Sequence, residues 1–408
     1  MKAFTLTESN GNTIEYIDRK RYLWLSSLFY PLMPLTGVCL MAWTGLEVSL
    51  LLPLVLTYVG GPLSDWIFGE DKNNPPEAVV PQLDEDNYYR ILTYLTVPLH
   101  FVALIGAAWW AGTQDLSWWG FIILAVSVGV GSGLGINTGH ELGHKKSSLE
   151  RNLAKIVLAV PAYGHFCIEH NRGHHRDVST PADPASARMG ETIYQFVLRE
   201  IPGAIKRGWE VERQRLERQG LGVWHWQNAI LQSHAIALLI QLSLLFAFGW
   251  IMLPFLVIHN VIAWWQLTSV NYIEHYGLLR EKKEDGRFER CQPWHSWNSN
   301  HIYSNLLLFH LERHSDHHAN PTRRYQSLRN FENLPQLPNG YFGMFLLAYI
   351  PWLWFKIMDP RLLALPHIQG DMTKINIQPG KQEKLMQRYA GIEQDQASSE
   401  EALEAKIQ

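Results

Sequence analysis

The sequence predicts an all-α integral membrane protein: six transmembrane helices and a cytoplasmic helical cap carrying a histidine cluster for two redox metals. Three observations lead there. Lys and Arg are absent between Tyr22 and Asp71, between Ile91 and His144, and between Gln219 and Leu279. Each gap fits one hairpin of helices, because a spanning helix needs roughly 20 apolar residues. Nine histidines fall into His140-Glu-Leu-Gly-His144, His170-Asn-Arg-Gly-His174-His175, His314-Ser-Asp-His317-His318 and the single site Glu274-His275. Residues three and four apart share a helix face, so each box is expected to aim its imidazoles at one point. A zinc site is filled by four ligands. Nine nitrogens suit two ions with room left for a substrate, and imidazole also suits iron and copper.

The expected spans are 22–44, 46–68, 91–111, 116–137, 228–250 and 253–270. Their turns near Gly45, Thr113 and Met252 carry no basic residue, whereas Arg19-Lys20-Arg21, Lys145-Lys146, Arg213 and Arg280 flank the spans. The positive-inside rule then places both termini and every box on the cytoplasmic side of the inner membrane. The N-terminal segment contains acidic residues and lacks a small-residue cleavage motif, so it does not read as a removable signal peptide.

Three domains are expected: a transmembrane domain over 1–272 with an inserted histidine-box block at 138–220, a cap over 273–378, and a polar tail over 379–408. Within the first block, 147–162 has helical spacing. Residues 191–218 read as an amphipathic surface helix with Phe196, Val197, Ile201 and Ile205 on its apolar side. In the cap, 342–355 is apolar but too short to span and is interrupted by Pro351, which suits an interfacial helix. The net charge of -3 gives no reason to expect a nucleic-acid partner. Cys39, Cys167 and Cys291 form no CxxC pair, which excludes an internal rubredoxin-type or zinc-ribbon site.

His100, His165, His225, His234, His259 and His367 read as ordinary core or surface residues. The boxes do not, since so many imidazoles packed together without a metal would leave donors and acceptors unpaired. His310, read as one helical turn before His314, is expected to support the site, and His295 and His301 to support it or line its entrance. Glu141, Glu274, Asp316, Asp177 and Asp183 are expected to orient imidazoles by accepting their second N–H. The first box also matches HExxH, in which the glutamate of a zinc protease acts as base, but such a protease has no need of the other boxes. Gly131-Ser-Gly-Leu-Gly135 lies inside a span and suits close helix contact or space for a substrate. No haem, flavin or nicotinamide site is visible, so a redox enzyme of this kind takes electrons from a separate protein.

With His-Glu-Leu-Gly-His-Lys at 140–145, Glu-His-Asn-Arg-Gly-His-His-Arg-Asp-Val at 169–178, Asn-Tyr-Ile-Glu-His-Tyr-Gly at 271–277 and Leu-Glu-Arg-His-Ser-Asp-His-His-Ala at 311–319, the chain resembles the membrane-bound alkane 1-monooxygenases. The likeness covers about residues 12–375 and includes Phe-Gly-Glu-Asp at 68–71. It departs at Glu312, where Gln would be expected. Membrane desaturases, fatty-acid hydroxylases and xylene-type monooxygenases share three boxes of similar spacing; the segment around His275 and the wording of the third box separate this chain from desaturases. The resemblance implies two non-haem irons, terminal hydroxylation of medium-chain n-alkanes with O2, and electrons from rubredoxin and its NADH-dependent reductase. An alkane has no polar handle, so a tunnel of apolar side chains is expected, with Tyr58, Gly61, Trp109, Trp110, Trp264 and Trp265 as candidates. Arg280, Lys282, Lys283, Arg287, Arg290, Arg323 and Arg324 are candidates for docking an acidic electron carrier.

Overall fold

A computed structural model describes residues 2–7 and 13–389 of the chain. A two-stranded antiparallel hairpin opens it, β1 (Lys2–Thr7) against β2 (Thr13–Asp18). The all-helical expectation missed this hairpin, although β2 is rich in Thr, Ile and Tyr, residues that favour a paired strand. Four helices follow: α1 (Arg21–Thr44), α2 (Glu47–Phe68), α3 (Asn87–Thr113) and α4 (Trp118–Gly143). Two extramembrane helices come next, α5 (Ser148–Ala159) and α6 (Ile193–Glu217). Then come α7 (Ala229–Phe248) and α8 (Met252–His275). Among the described residues six helices, α1 to α4 with α7 and α8, are long and apolar enough to cross a membrane. The protein is therefore a multi-pass membrane protein.

Local signals set the helix ends. Asp86, Ser117 and Asn228 cap α3, α4 and α7 by accepting backbone N–H groups of the first turn. Gly45 and Gly249 stop α1 and α7 in positive-φ conformations that a side chain would strain. The hairpin turns meet at one end of the bundle, where Glu47 accepts the backbone N–H of Ser117. At the other end, Lys20 pairs with Asp71 and Arg313 bonds the Asp71 carbonyl.

The expected spans fall short where it matters most. Helix α4 continues through the first box to Gly143, and α8 continues to His275. Glycines let these two helices touch. A Cβ on Gly133 would lie 2.6 Å from the Gln266 side chain and 2.8 Å from the Ala263 carbonyl, and one on Gly129 would lie 2.8 Å from the His259 carbonyl. The Gly131–Gly135 stretch is thus a packing surface. Helix α6 buries Ile193, Phe196, Glu200, Ala204, Gly208, Glu212 and Leu216, while Ile205 is exposed. The buried side coincides with the expected apolar side only at Phe196; Val197 and Ile201 are half-buried, and the inner face is turned so that the carboxylates at 200 and 212 find partners inside.

After α8 the chain folds over the histidine end of the bundle. Helices α9 (Tyr341–Ala348) and α10 (Pro351–Leu363) meet at a bend of 119°, the break falling just before Pro351. Trp354 packs against Tyr272 and Tyr276, so the end of α8 is wedged into this layer. Gly277 has φ +73°, and a Cβ there would meet Leu362. Residues 390–408, most of the expected polar tail, lie outside the described residues.

Candidate metal centre

Nine imidazoles converge in two groups. His140, His144, His170, His175 and His317 form one, and His174, His275, His314 and His318 the other; within each group the ligand nitrogens lie within 4.8 Å of one another. Only the first box sends both its histidines to one point, and the reason is helical register. His140 and His144, four apart on α4, share a face. The second box follows the short helix Phe166–Glu169 and opens as a wide π-type turn over His170–His174. Five-residue spacing brings side chains together on such a turn. His170 and His175 therefore meet, their Nε2 atoms 3.1 Å apart, while His174 turns to the other group. The third box sits on the six-residue helix His314–Ala319. His314 and His318 join one group, and His317, about 100° round the helix from its neighbour, joins the other.

The nitrogens face one another as no set of protons could satisfy. His317 Nε2 lies 2.9 Å from His140 Nε2 and 3.1 Å from His175 Nε2. His314 Nε2 lies 3.1 Å from His275 Nε2 and 2.9 Å from His318 Nε2. Nε2 of His144 and of His174 has no partner among the described residues. Two nitrogens about 2.1 Å from one ion and at right angles would stand about 3.0 Å apart, against roughly 3.4 Å in a tetrahedron. The closest pairs in each group stand as far apart as nitrogens that share one ion. Burial, and after it the neighbouring imidazoles, holds His144, His170, His175, His314, His317 and His318 well below the usual histidine range. Neutral at pH 7, they offer the lone pairs that a metal needs.

Among the described residues two carboxylates reach these imidazoles. Asp183 Oδ2 is 2.9 Å from His174 Nδ1, and Glu274 Oε1 is 3.2 Å from His314 Nδ1 while accepting from the Tyr341 hydroxyl at 2.7 Å. A backbone carbonyl does the same elsewhere: the His295 oxygen lies 3.2 Å from His275 Nδ1. Asp183 is also tied to Arg207 of α6, at 2.7 Å, and Arg207 pairs with Glu169 beside the second box. Burial would raise the Asp183 carboxyl, but His174 and Arg207 hold it well below the usual range. Neither Arg207 nor Glu169 stood out in the sequence; a Glu just before a histidine box was the available hint.

Three of the other carboxylates turn away. Glu141 pairs with Lys145 at 3.0 Å, Asp316 with Arg323 at 3.1 Å, and Asp177 with Arg176 at 2.7 Å. Each is drawn off by a cation closer than any imidazole. The Glu141 geometry also removes the base that a zinc-protease reading of the first box requires. His310 is not on the helix of the third box. It and Phe309 have φ of +52°, and its ring packs edge-on against Trp24 while Nδ1 lies 2.8 Å from the Tyr325 carbonyl. His301 bonds Ser299.

A narrow cavity lies against the imidazoles. Leu134, Ile136 and Asn137 of α4, Leu267 and Val270 of α8, and Leu311 line it beside His140, His170 and His314. None of the six residues proposed from the sequence as tunnel wall lines it. Tyr58 stands one layer out, its hydroxyl donating to Gln266 Oε1 at 3.1 Å, and Gly61 packs on Phe342. Trp109 is half exposed next to Trp110, Trp264 donates to the Pro161 carbonyl, and Trp265 stacks on Tyr194. Glycines on α4 bring α4 and α8 too close for bulky rings to stand between them.

Buried Glu200 lies on the far side of this wall, its oxygens accepting from Thr268 Oγ1 at 2.8 Å and Asn271 Nδ2 at 3.1 Å. Burial pushes its carboxyl up to about 7. The folded state thus holds this proton more tightly than the unfolded chain, so stability is greatest below the unfolded value near 4.5 and falls as pH rises toward 7. A shift of this size is worth about 3 kcal/mol. Glu200→Gln should remove the loss: between pH 5 and pH 8 the thermal midpoint of the wild type should drop relative to the variant. Parallel curves would mean that Glu200 ionises as freely in the fold as in the unfolded chain.

The docking candidates divide. Arg280 bonds the Arg176 carbonyl, Arg323 pairs with Asp316 and Glu77, and Arg324 pairs with Glu150. Lys282, Lys283, Arg287 and Arg290 are exposed, among the acidic Glu281, Glu284 and Asp285. Glu312, where the resemblance led one to expect Gln, is fully buried and accepts the Tyr341 N–H at 2.7 Å. Burial, reinforced by Asp65, raises its carboxyl. A carboxyl kept neutral presents nearly the shape of a glutamine amide.

Comparison with known proteins agrees with this geometry. The fatty acid desaturase family matches residues 116–348. Alkane 1-monooxygenase 1 of Alcanivorax borkumensis is 55% identical over 93% of this chain and 94% of its own length. Alkane 1-monooxygenase of Ectopseudomonas oleovorans is 55% identical over 95% and 96%, and that of Pseudomonas putida 56% identical over 92% and 93%.

Proposed function

The chain belongs to the alkane 1-monooxygenase family, non-haem di-iron enzymes of the wider fatty acid desaturase family, and on that premise we propose that it hydroxylates the terminal carbon of medium-chain n-alkanes with O2 and electrons from rubredoxin. Rubredoxin would be reduced in turn by an NADH-dependent reductase. The nine histidines hold two irons, His140, His144, His170, His175 and His317 one of them and His174, His275, His314 and His318 the other. The carrying observation is the pairing of two convergent imidazole groups with an apolar cavity that touches both. The irons supply the activation of dioxygen that an unactivated C–H bond demands. The protein's own residues do the rest. Asp183, Glu274 and the His295 carbonyl fix the orientation of three imidazoles.

Leu134, Ile136, Leu267, Val270 and Leu311 bind the alkane by burial, each methylene contributing about 0.8 kcal/mol. Discrimination of one methylene is worth only about 1–3 kcal/mol, so chain-length preference is broad and ends where the cavity is blocked. The substrate enters from the lipid in which it dissolves. Both termini and the metal centre face the cytoplasm, where exposed Lys282, Lys283, Arg287 and Arg290 meet the electron carrier.

The test is product analysis from cells that carry this protein with a rubredoxin and its reductase, fed alkanes and fatty acids under labelled O2. Labelled 1-alkanols are expected. Unsaturated products without label would move the chain to the desaturase chemistry of its wider family. In the same assay Val270→Trp should shorten the longest alkane accepted; a product profile identical to wild type would remove Val270 from the cavity wall.

A further inference from the structure

A cavity of about 460 Å³ lies apart from the substrate cavity, between α5, the second histidine box and the turn leading into α7. Arg151, Lys155, Arg172 and Arg215 line it, with Glu212 as its one acidic residue. Glu212 is already spent. It takes both Arg215 Nε and a second guanidinium nitrogen at 2.7 Å, and accepts the Ala229 N–H at 2.7 Å. The other cations have neutral partners: Lys155 Nζ donates to Gln232 Oε1 at 2.8 Å, and Arg151 to the carbonyls of Lys145 and Lys146. Among the described residues Arg151, Lys155 and Arg172 have no carboxylate partner. Three uncompensated cations around one cavity raise each other's energy unless an anion enters.

The cavity also has a definite level in the membrane. Its rim is built by Trp226, Gln227 and Ala229, where α7 begins. Trp224 and Trp226 are 77% and 73% exposed, as tryptophans are at a bilayer interface. The α7 helix that rises from this rim exposes Leu238, Leu239, Leu242 and Phe246. A ligand seated among the cations thus lies where an acyl chain can run along α7.

We propose that this cavity binds a phosphate-bearing anion, and that its place at the start of α7 makes an anionic phospholipid headgroup the source. The consequence reaches the metal centre. Asn171 and Arg172 are cavity residues between His170 and His174, and Asn171 Nδ2 donates to the Gly143 carbonyl, next to His144, at 3.0 Å. An occupied cavity therefore braces the first two histidine boxes against each other. The inference is independent of which alkane the enzyme accepts.

The full-length, iron-loaded protein is stripped of lipid in detergent, then given phosphatidylglycerol, phosphatidylcholine or inorganic phosphate, while thermal unfolding and lipid retained in native mass spectrometry are followed. Phosphatidylglycerol should raise the midpoint above that with phosphatidylcholine and stay bound. In Lys155→Gln/Arg172→Gln that gain should fall by more than half, whereas Arg361→Gln, a charge far from the cavity, should respond as wild type. Arg151→Gln serves as a second variant should the double one not fold. Stabilisation by inorganic phosphate equal to that by phosphatidylglycerol would keep the phosphate chemistry but assign a soluble source. No gain from either, or an undiminished gain in the variants, would overturn the proposal.

Discussion

Replacing His317 by Ala should abolish alkane hydroxylation, lowering activity by more than about 100-fold, beyond the 10–100-fold typical of outer positions around a metal. His317 is the one member of the third box in the five-histidine group, 2.9 Å from His140 Nε2 and 3.1 Å from His175 Nε2. Its loss removes a nitrogen and also unties the third box from the first two. Iron content should fall from about two toward about one per chain, because the group of His174, His275, His314 and His318 keeps all its nitrogens. Glu141→Gln is the informative companion. Glu141 faces Lys145 instead of an imidazole, so hydroxylation in this variant should stay within roughly tenfold of wild type. A zinc protease built on the first box would reverse the order, tolerating loss of His317 and failing without Glu141. Iron at wild-type level in His317→Ala would remove His317 from the centre.

The second large effect is expected at Asp183. Its Oδ2 receives His174 Nδ1 and the Ser186 hydroxyl, at 2.9 and 2.6 Å, and its Oδ1 receives Arg207 at 2.7 Å. Asp183→Ala takes from the mostly buried Arg207 guanidinium its innermost carboxylate, leaving Glu169 and, at 3.5 Å, Asp177, and it leaves the His174 N–H without an acceptor. Breaking a buried pair of this kind costs about 3–5 kcal/mol. Iron affinity should fall by about 10–100-fold, as for other groups that orient a ligand imidazole. Asp183→Asn keeps the volume and an acceptor for His174 but not the charge, and Glu169 still balances Arg207; its loss should be clearly smaller on both counts. Thermal unfolding and metal titration of the three proteins check this. Equal iron affinity in Asp183→Ala and wild type would mean that the carboxylate supports the loop and not the imidazole.

Much of this centre was legible in the chain, and the parts that were not share a cause. The Lys- and Arg-free gaps marked all six spans, because a charge in hydrocarbon is costly wherever it sits in the fold. The spacing of the boxes marked the nine histidines for the same kind of reason, since four-residue spacing on a helix is a local property. The sorting of those histidines was not legible. It depends on a wide turn at His170–His174 and on a six-residue helix that begins at His314, neither of which the sequence pattern announces. His310 shows the same failure: an ordinary helix would have put it beside His314, but two positive-φ residues turn it toward Trp24. Among carboxylates, proximity in sequence misled. Glu141 and Asp316 lie inside boxes and touch no imidazole, while Asp183, nine positions after His174, does.

Sequence by itself determined the class of protein, the six spans, the ligand type and the family, because bilayer transfer and helical period act on a few neighbouring residues at a time. Tertiary structure alone decided which histidines stand together, which carboxylates reach them, and that residues of α4 and α8 rather than the tryptophans line the cavity beside them. Those choices depend on how closely glycine-bearing helices approach and at what angle they present residues as far apart in the chain as His140 and His317.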